Sequence, residues 1–206
     1  MAGYPIELKL SGKTVVVIGL GAVGRRRAAG LLATGARVVG IDPAAGGFAS
    51  ESLAGVEIIA EAYREEHLRG ASLAIAAAWP EVNRQVVADA QAMGVWVNSA
   101  SDPKASDFSL PAVWKSGLLI LTVSTSGASP TLAAALRDRA AEALGPSAAG
   151  LATLLAELRP LVLARVQDPE ARRLIFQDWA NPRWLQLWAE QGPDAVRQAL
   201  LERIKE

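Results

Sequence analysis

The chain has 206 residues, with 21 basic and 21 acidic side chains, one His and no Cys. Zero net charge gives no overall electrostatic case for nucleic acid or a membrane surface as partner. The missing Cys excludes disulfides, thiolate metal sites and Cys nucleophiles, and a single His excludes a multi-His zinc site. A hydrophobic share of 51% against 20% charged residues supplies a core for one large domain, or one domain with an appendage.

The first apolar run, Thr14 to Gly24, needs separating from a signal peptide. Glu7 lies upstream, three glycines interrupt the run, and Arg25-Arg26-Arg27 follows at once. A buried strand entering a glycine turn accounts for this pattern, and a cytoplasmic protein is expected. No uninterrupted apolar run approaches the roughly 18 residues that span a bilayer, so no membrane partner is expected.

In chain order, Lys13 to Ile18 reads as a β-branched strand and Arg25 to Thr34 as a helix stopped by Gly35. Ala36 to Ile41 is a second strand ending at Asp42. Val56 to Ala60, Leu73 to Ala77 and Val95 to Asn98 are shorter ones, with a helix over Pro80 to Met93. Strands alternating with helices predict an α/β fold, a Rossmann-like, doubly wound parallel sheet. After Pro111 one more strand, Leu118 to Thr125, precedes a helix from Thr131 to Leu144 that Gly145-Pro146 ends. Ala148 to Glu206 reads as helices only, broken near Asp168-Pro169, Asn181-Pro182 and Gly192-Pro193. The expected division is a nucleotide-binding domain (1–112), a strand-helix unit (113–146) and a small helical C-terminal domain (147–206).

Gly19-Leu20-Gly21-Ala22-Val23-Gly24 is G-x-G-x-x-G between strand and helix. The first Gly permits the turn, the second lets a pyrophosphate approach the backbone, and the third allows close helix–strand packing. Asp42, 21 residues after Gly21, stands where an acid accepts from a ribose 2′-hydroxyl and repels a 2′-phosphate, which favours NAD over NADP. A second strand-to-helix turn, Ser124-Thr125-Ser126-Gly127-Ala128-Ser129-Pro130, is rich in hydroxyls. It fits an anion site, and equally an ordinary N-cap by Ser129 with Pro130 at the first helical position. Arg25, Arg26 and Arg27 fan around their helix at 100° per residue. His67, in a polar stretch, is expected at the surface. Trp179, Trp184 and Trp188 are expected in core or subunit contact.

Read together, these motifs resemble precorrin-2 dehydrogenase, the N-terminal module of siroheme synthase. Tyr4-Pro5-Ile6-Glu7-Leu8-Lys9-Leu10 is similar to that family's entry before the first strand. The glycine loop running on into Arg25-Arg26-Arg27-Ala28 is similar to its G-G-G-x-V-A-x-R-K-A. Pro80-Glu81-Val82-Asn83 resembles its P-x-V-N. Asn98, Asp102-Pro103-Lys104 and Phe108-Ser109-Leu110-Pro111-Ala112 resemble N-x-x-D-x-P-K and F-h-h-P-A/S, and Ser124 to Pro130 resembles S-T/S-x-G-x-S-P. The likeness covers residues 4–145.

The resemblance implies NAD-dependent oxidation of precorrin-2 to sirohydrochlorin, with Fe²⁺ insertion in some members, by a homodimer joined through the strand-helix unit. It implies that Pro43, Ala44, Ala77 and Ala78 join the glycine loop and Asp42 at the cofactor. Asn98, Ser124, Thr125, Ser126, Gly127 and Ser129 would meet the tetrapyrrole. No metal-ligand set follows from it. Two positions depart from the family. Ser101 stands where the family has its aspartate, with Asp102 one later, and Ala76-Ala77-Ala78-Trp79 replaces an A-T-D/N segment. Proton loss must accompany hydride loss, so Asp102 is the expected acceptor beside Ser101, provided that the chain before Pro103 turns. The alternative is a non-catalytic NAD- or tetrapyrrole-binding protein descended from the enzyme.

Overall fold

The structure, a computed structural model, describes residues 3–45 and 53–204; parts of the expected nucleotide-binding unit (46–52) and the end of the expected helical tail (205–206) lie outside the described residues. The chain divides into two compact units between Leu110 and Pro111.

The first unit contains β1 (Thr14–Ile18), α1 (Ala22–Leu32), β2 (Arg37–Ile41), β3 (Glu57–Ile59), β4 (Leu73–Ala76), α2 (Pro80–Ala92) and β5 (Trp96–Ser99). They form one sheet of order β3-β2-β1-β4-β5 in which every pairing is parallel. The expected α/β sheet is therefore the observed one. β1, β2 and β4 are largely continuous apolar runs because both faces are covered, whereas the edge strand β3 is mostly exposed. On one face Val16, Ile18, Ala74, Ala76 and Val97 pack with Val86, Val87 and Ala90 of α2. On the other, Val15, Val17, Val38, Leu73 and Ile75 pack with Ala28 of α1. Register aligns the strand ends: Ile18 lies level with Ile41 on one side and Ala76 on the other. Three chain reversals thus share one edge of the sheet.

His67 corrects an expectation. Its side chain is only 7% exposed, within a single 3₁₀ turn at Glu65–Leu68. Nδ1 accepts from the Arg64 amide at 3.0 Å, and Nε2 lies 2.7 Å from Glu61 Oε1. The polar neighbours that suggested a surface residue are its hydrogen-bond partners. That bond, foremost, holds the Glu61 carboxyl below the usual carboxylate range.

The second unit begins with a strand that the sequence reading did not anticipate. β6 (Ala112–Ser116) and β7 (Leu119–Val123) form an antiparallel hairpin turning at Gly117, whose φ is 53°. Alternating half-buried and exposed positions in both strands match a ribbon covered on one face. The helix α3 (Pro130–Arg165) packs on it. Gly145 (φ 65°, ψ 176°) breaks α3 where the sequence places a helix end, so the axis kinks and resumes at Pro146. The helices α4 (Pro169–Trp179) and α5 (Arg183–Glu202), the latter broken at Gly192, complete the unit.

Leu154, Leu158 and Val162 of α3, Trp179 of α4, and Trp184, Val196 and Leu200 of α5 make its core, as expected for the Trp cluster. Among the described residues α3 is the one helix long and apolar enough, by length and composition, to cross a membrane. A third of its apolar stretch is buried inside the protein.

Gly150 of α3 is a packing glycine, since a Cβ there would stand 2.4 Å from the Trp188 ring. Gly150→Ala should cost about 1–3 kcal/mol through overpacking. Urea unfolding is expected to show a lower midpoint with an unchanged slope.

Candidate functional site

Helix α1 leads from β1 to β2 on one side, and α2 leads from β4 to β5 on the other. The strand order therefore reverses between β1 and β4, and a crevice opens at their carboxyl ends, where α/β sheets of this kind bind ligands. Its walls are backbone. Gly19 has φ 87°, and a Cβ on it would lie 2.6 Å from both Ala77 O and Ala78 N. Gly24 is packed so closely that a Cβ would come 1.8 Å from Gly19 O. Gly21, by contrast, has nothing within 4 Å of such an atom. The three glycines therefore divide the work as the motif implies, with Gly21 presenting the open face.

α1 has no side-chain cap, and its first helical bond runs from Arg25 N to Gly21 O at 3.0 Å. The amides of Ala22, Val23 and Gly24 precede that bond and point out of the helix start, the position that favours a phosphate. Leu20 contributes only backbone, because its side chain is fully buried. Asp42 stands at the end of β2. Its Oδ2 accepts from Leu20 N at 2.7 Å, and its Oδ1 accepts from Ala44 N at 2.9 Å. One carboxylate thus fixes the glycine loop and the Pro43-Ala44 turn, with lone pairs left on both oxygens.

Asn83 is a residue that the sequence analysis did not assign to the site. It is 1% exposed on α2. Oδ1 accepts from Ala78 N at 2.9 Å, while Nδ2 donates to Ala78 O at 3.0 Å and to Ser101 Oγ at 2.9 Å. This amide locks the Ala78 peptide against Gly19 and ties the end of β4 to the turn after β5. The P-x-V-N helix start carried the signal, but an Asn in a first turn reads as solvated until its partners are known.

The turn after β5 bends, as the assignment of Asp102 required. Asp102 caps the 3₁₀ turn Pro103–Ala105, Oδ1 accepting from Lys104 N and Ala105 N at 3.0 and 3.3 Å. The residue is exposed, and its Oδ2 makes no hydrogen bond among the described residues. Ser101 lies 3.3 Å, Oγ to Oγ, from Ser99, which accepts from Asp102 N at 3.2 Å. Asn98 is buried and fully engaged: Oδ1 accepts from Arg27 Nη1 and Nδ2 donates to Phe108 O, each at 2.7 Å. Asn98, expected at the substrate, also braces an arginine that the sequence analysis did not assign to the site. The three arginines do fan out: Arg25 donates to Leu20 O at 2.9 Å, Arg26 is exposed and Arg27 turns to β5.

In the second unit, three hydroxyl oxygens of the hydroxyl-rich turn make internal hydrogen bonds. Ser124 Oγ accepts from Ser126 N at 3.2 Å, and Ser129 Oγ caps α3 by accepting from Leu132 N at 3.1 Å. Thr125 Oγ1 accepts from Ser129 N at 3.0 Å and donates to Ser129 O at 3.1 Å. Ser126 and Gly127 both have positive φ, 52° and 85°. The N-cap reading is present in full, and Ser126, a non-Gly residue in the left-handed region, is strained. Among the described residues no three His, Asp or Glu side chains gather as a metal set.

Fold and crevice define a dinucleotide-binding α/β protein. Residues 6–112 match the family described as "Putative NAD(P)-binding", and the chain belongs to that family. It is 30% identical to a siroheme synthase of Tolumonas auensis over 98% of this chain and 43% of that protein. It is 37% identical to one of Chromobacterium violaceum over 86% of this chain and 38% of that one. The chain therefore spans less than half the length of these curated relatives. A solved structure described as "SirC, precorrin-2 dehydrogenase" superposes with a TM-score of 0.80 at 22% identity, covering 98% of this chain and 99% of that one. That likeness establishes a shared fold over both units.

Asn83→Leu leaves two part-buried backbone groups of Ala78 and the Ser101 hydroxyl without this partner. Stability should fall by about 2–4 kcal/mol, and NADH binding should weaken beyond what unfolding explains. Thermal unfolding with and without NADH measures both.

Proposed function

We propose that the chain oxidises precorrin-2 to sirohydrochlorin with NAD⁺, as a cytoplasmic homodimer in tetrapyrrole synthesis. The observation that carries this reading is the crevice itself: an open Gly21 cradle, an uncapped helix start and Asp42 at the neighbouring strand end. The residues fit a dinucleotide. The Ala22–Gly24 amides would hold its pyrophosphate, and Asp42 its ribose, whose 2′-phosphate the carboxylate would repel. Ala77 and Ala78 close the crevice opposite Gly19. The relatives' names supply the substrate class, and exposed Val113, Leu118, Ile120 and Leu132 on the hairpin and α3 support self-association.

When bound, the nicotinamide supplies the hydride acceptor. The oxidation removes a hydride and a proton, so the protein must supply a base. Asp102 is assigned that role through Oδ2, while the two amides on Oδ1 hold the carboxylate in place. Ser101, held by Asn83, orients the turn. The Ser124–Ser129 loop is assigned to substrate carboxylates through the O–H groups of Ser124, Ser126 and Ser129, which remain as donors while the amides of Ser126, Ala128 and Ser129 are engaged within the turn. Fe²⁺ insertion is proposed as a second step, on the sirohydrochlorin product, with release of two pyrrolic protons.

A second reading, a binding protein without turnover, is favoured by Ser101 in place of the family's acid. An anaerobic assay of precorrin-2 with NAD⁺, followed by sirohydrochlorin absorbance and then by added Fe²⁺, separates them. Turnover is expected in the wild type, with Asp102→Asn slower by about 10²-fold. Full activity in Asp102→Asn removes that residue as base. Binding of both ligands without any product establishes the second reading.

A further inference from the structure

Arg27 is a half-buried cation that the proposed chemistry leaves unused. It sits on α1, six residues after Gly21, and its guanidinium reaches past β4 to Asn98 on the edge strand β5. There it makes one hydrogen bond, Nη1 to Asn98 Oδ1 at 2.7 Å, and has no carboxylate partner among the described residues. Other arginines of the first unit do meet acids: Arg37 meets Glu57, Arg64 meets Glu61 and Glu66, and Arg84 meets Glu81. Those are more exposed, whereas Arg27 is half-buried. Burial, followed by the charge of Arg26, pushes its proton affinity down.

Desolvating a charge without a counter-charge is unfavourable, and apolar packing would serve the fold better. Yet the side chain is aimed. Asn98 holds it, and Asn98 is itself fixed by Phe108 O at 2.7 Å. A guanidinium has five N–H donors in a planar fork, and one is engaged here. Asn98 lies next to Ser99, the last residue of β5, before the turn that carries Ser101 and Asp102. The fork therefore stands near the carboxyl ends of the strands, where ligands enter.

We infer that Arg27 is an anion-binding residue, held by Asn98 to take an anionic oxygen pair, a carboxylate or a phosphate, from a ligand of this crevice. The inference rests on the proposed function for its ligands: a polycarboxylate substrate and a dinucleotide share this chemistry. A forked, charge-assisted contact explains why an Arg with one neutral partner is tolerated at a half-buried position.

The test measures dissociation constants for sirohydrochlorin and for NADH in the wild type, Arg27→Met and Arg27→Lys, with thermal unfolding of each. Arg27→Met should lose roughly tenfold or more in affinity for one ligand and change little for the other, with an unchanged or raised Tm. Loss for sirohydrochlorin identifies a substrate carboxylate, and loss for NADH identifies the pyrophosphate. Arg27→Lys, which keeps the charge but not the fork, should fall between, and it carries the test if Arg27→Met fails to fold. Both affinities within twofold of wild type, or an equal fall in both, would overturn the inference. A wild type that binds NADH but not sirohydrochlorin contradicts the proposed function, while the NADH arm still decides Arg27. Binding of neither overturns both.

Discussion

The backbone of Gly19 lies against the Ala77-Ala78 peptide, closer than any side chain would allow. This contact joins the carboxyl ends of β1 and β4 at the point where the strand order reverses, so the ligand crevice has a floor made of main chain. Its requirements spread outward. Gly24 must lack a Cβ to let α1 start there, Asn83 must hold Ala78 from behind, and Asp42 must hold Leu20 from the side. A buried Asn83 and a half-buried Asp42, each with specific hydrogen-bond partners, thus hold the geometry that apolar packing alone would leave free to slide.

The same economy governs the residues that face ligand. Asp42 orders a loop with one lone pair on each oxygen and keeps others free for the proposed ribose contact, which needs no rearrangement of the carboxylate. Asp102 divides its oxygens similarly, one capping a turn and the other left without a hydrogen bond among the described residues. Preorganisation of this kind spares a site the cost of ordering itself when a ligand arrives.

Much of the fold was legible because a parallel sheet buried on both faces writes itself as β-branched runs, as in Val15 to Ile18. The glycine loop was legible because each glycine has a separate steric duty. β6 was not, since Ala112 to Ser116 alternates on a half-covered ribbon and its partner becomes evident only across Gly117. His67 was misjudged because burial by hydrogen-bonded acids and amides looks, in sequence, like solvation. Asn83 and Arg27, and the hold of Asn98 on Arg27, escaped the site reading for a related reason. Their value lies in contacts 5 to 71 residues away along the chain, which no local pattern encodes.

The central claim is that the crevice between β1 and β4 holds a dinucleotide whose adenosine ribose is read by Asp42. Calorimetric titration of the wild type and Asp42→Ser with NAD⁺ and NADP⁺ tests it most directly. The account predicts that wild-type protein binds NAD⁺ at least tenfold more tightly than NADP⁺, and that Asp42→Ser brings the two close together. Equal binding of both by the wild type, or a preference for NADP⁺, would contradict it.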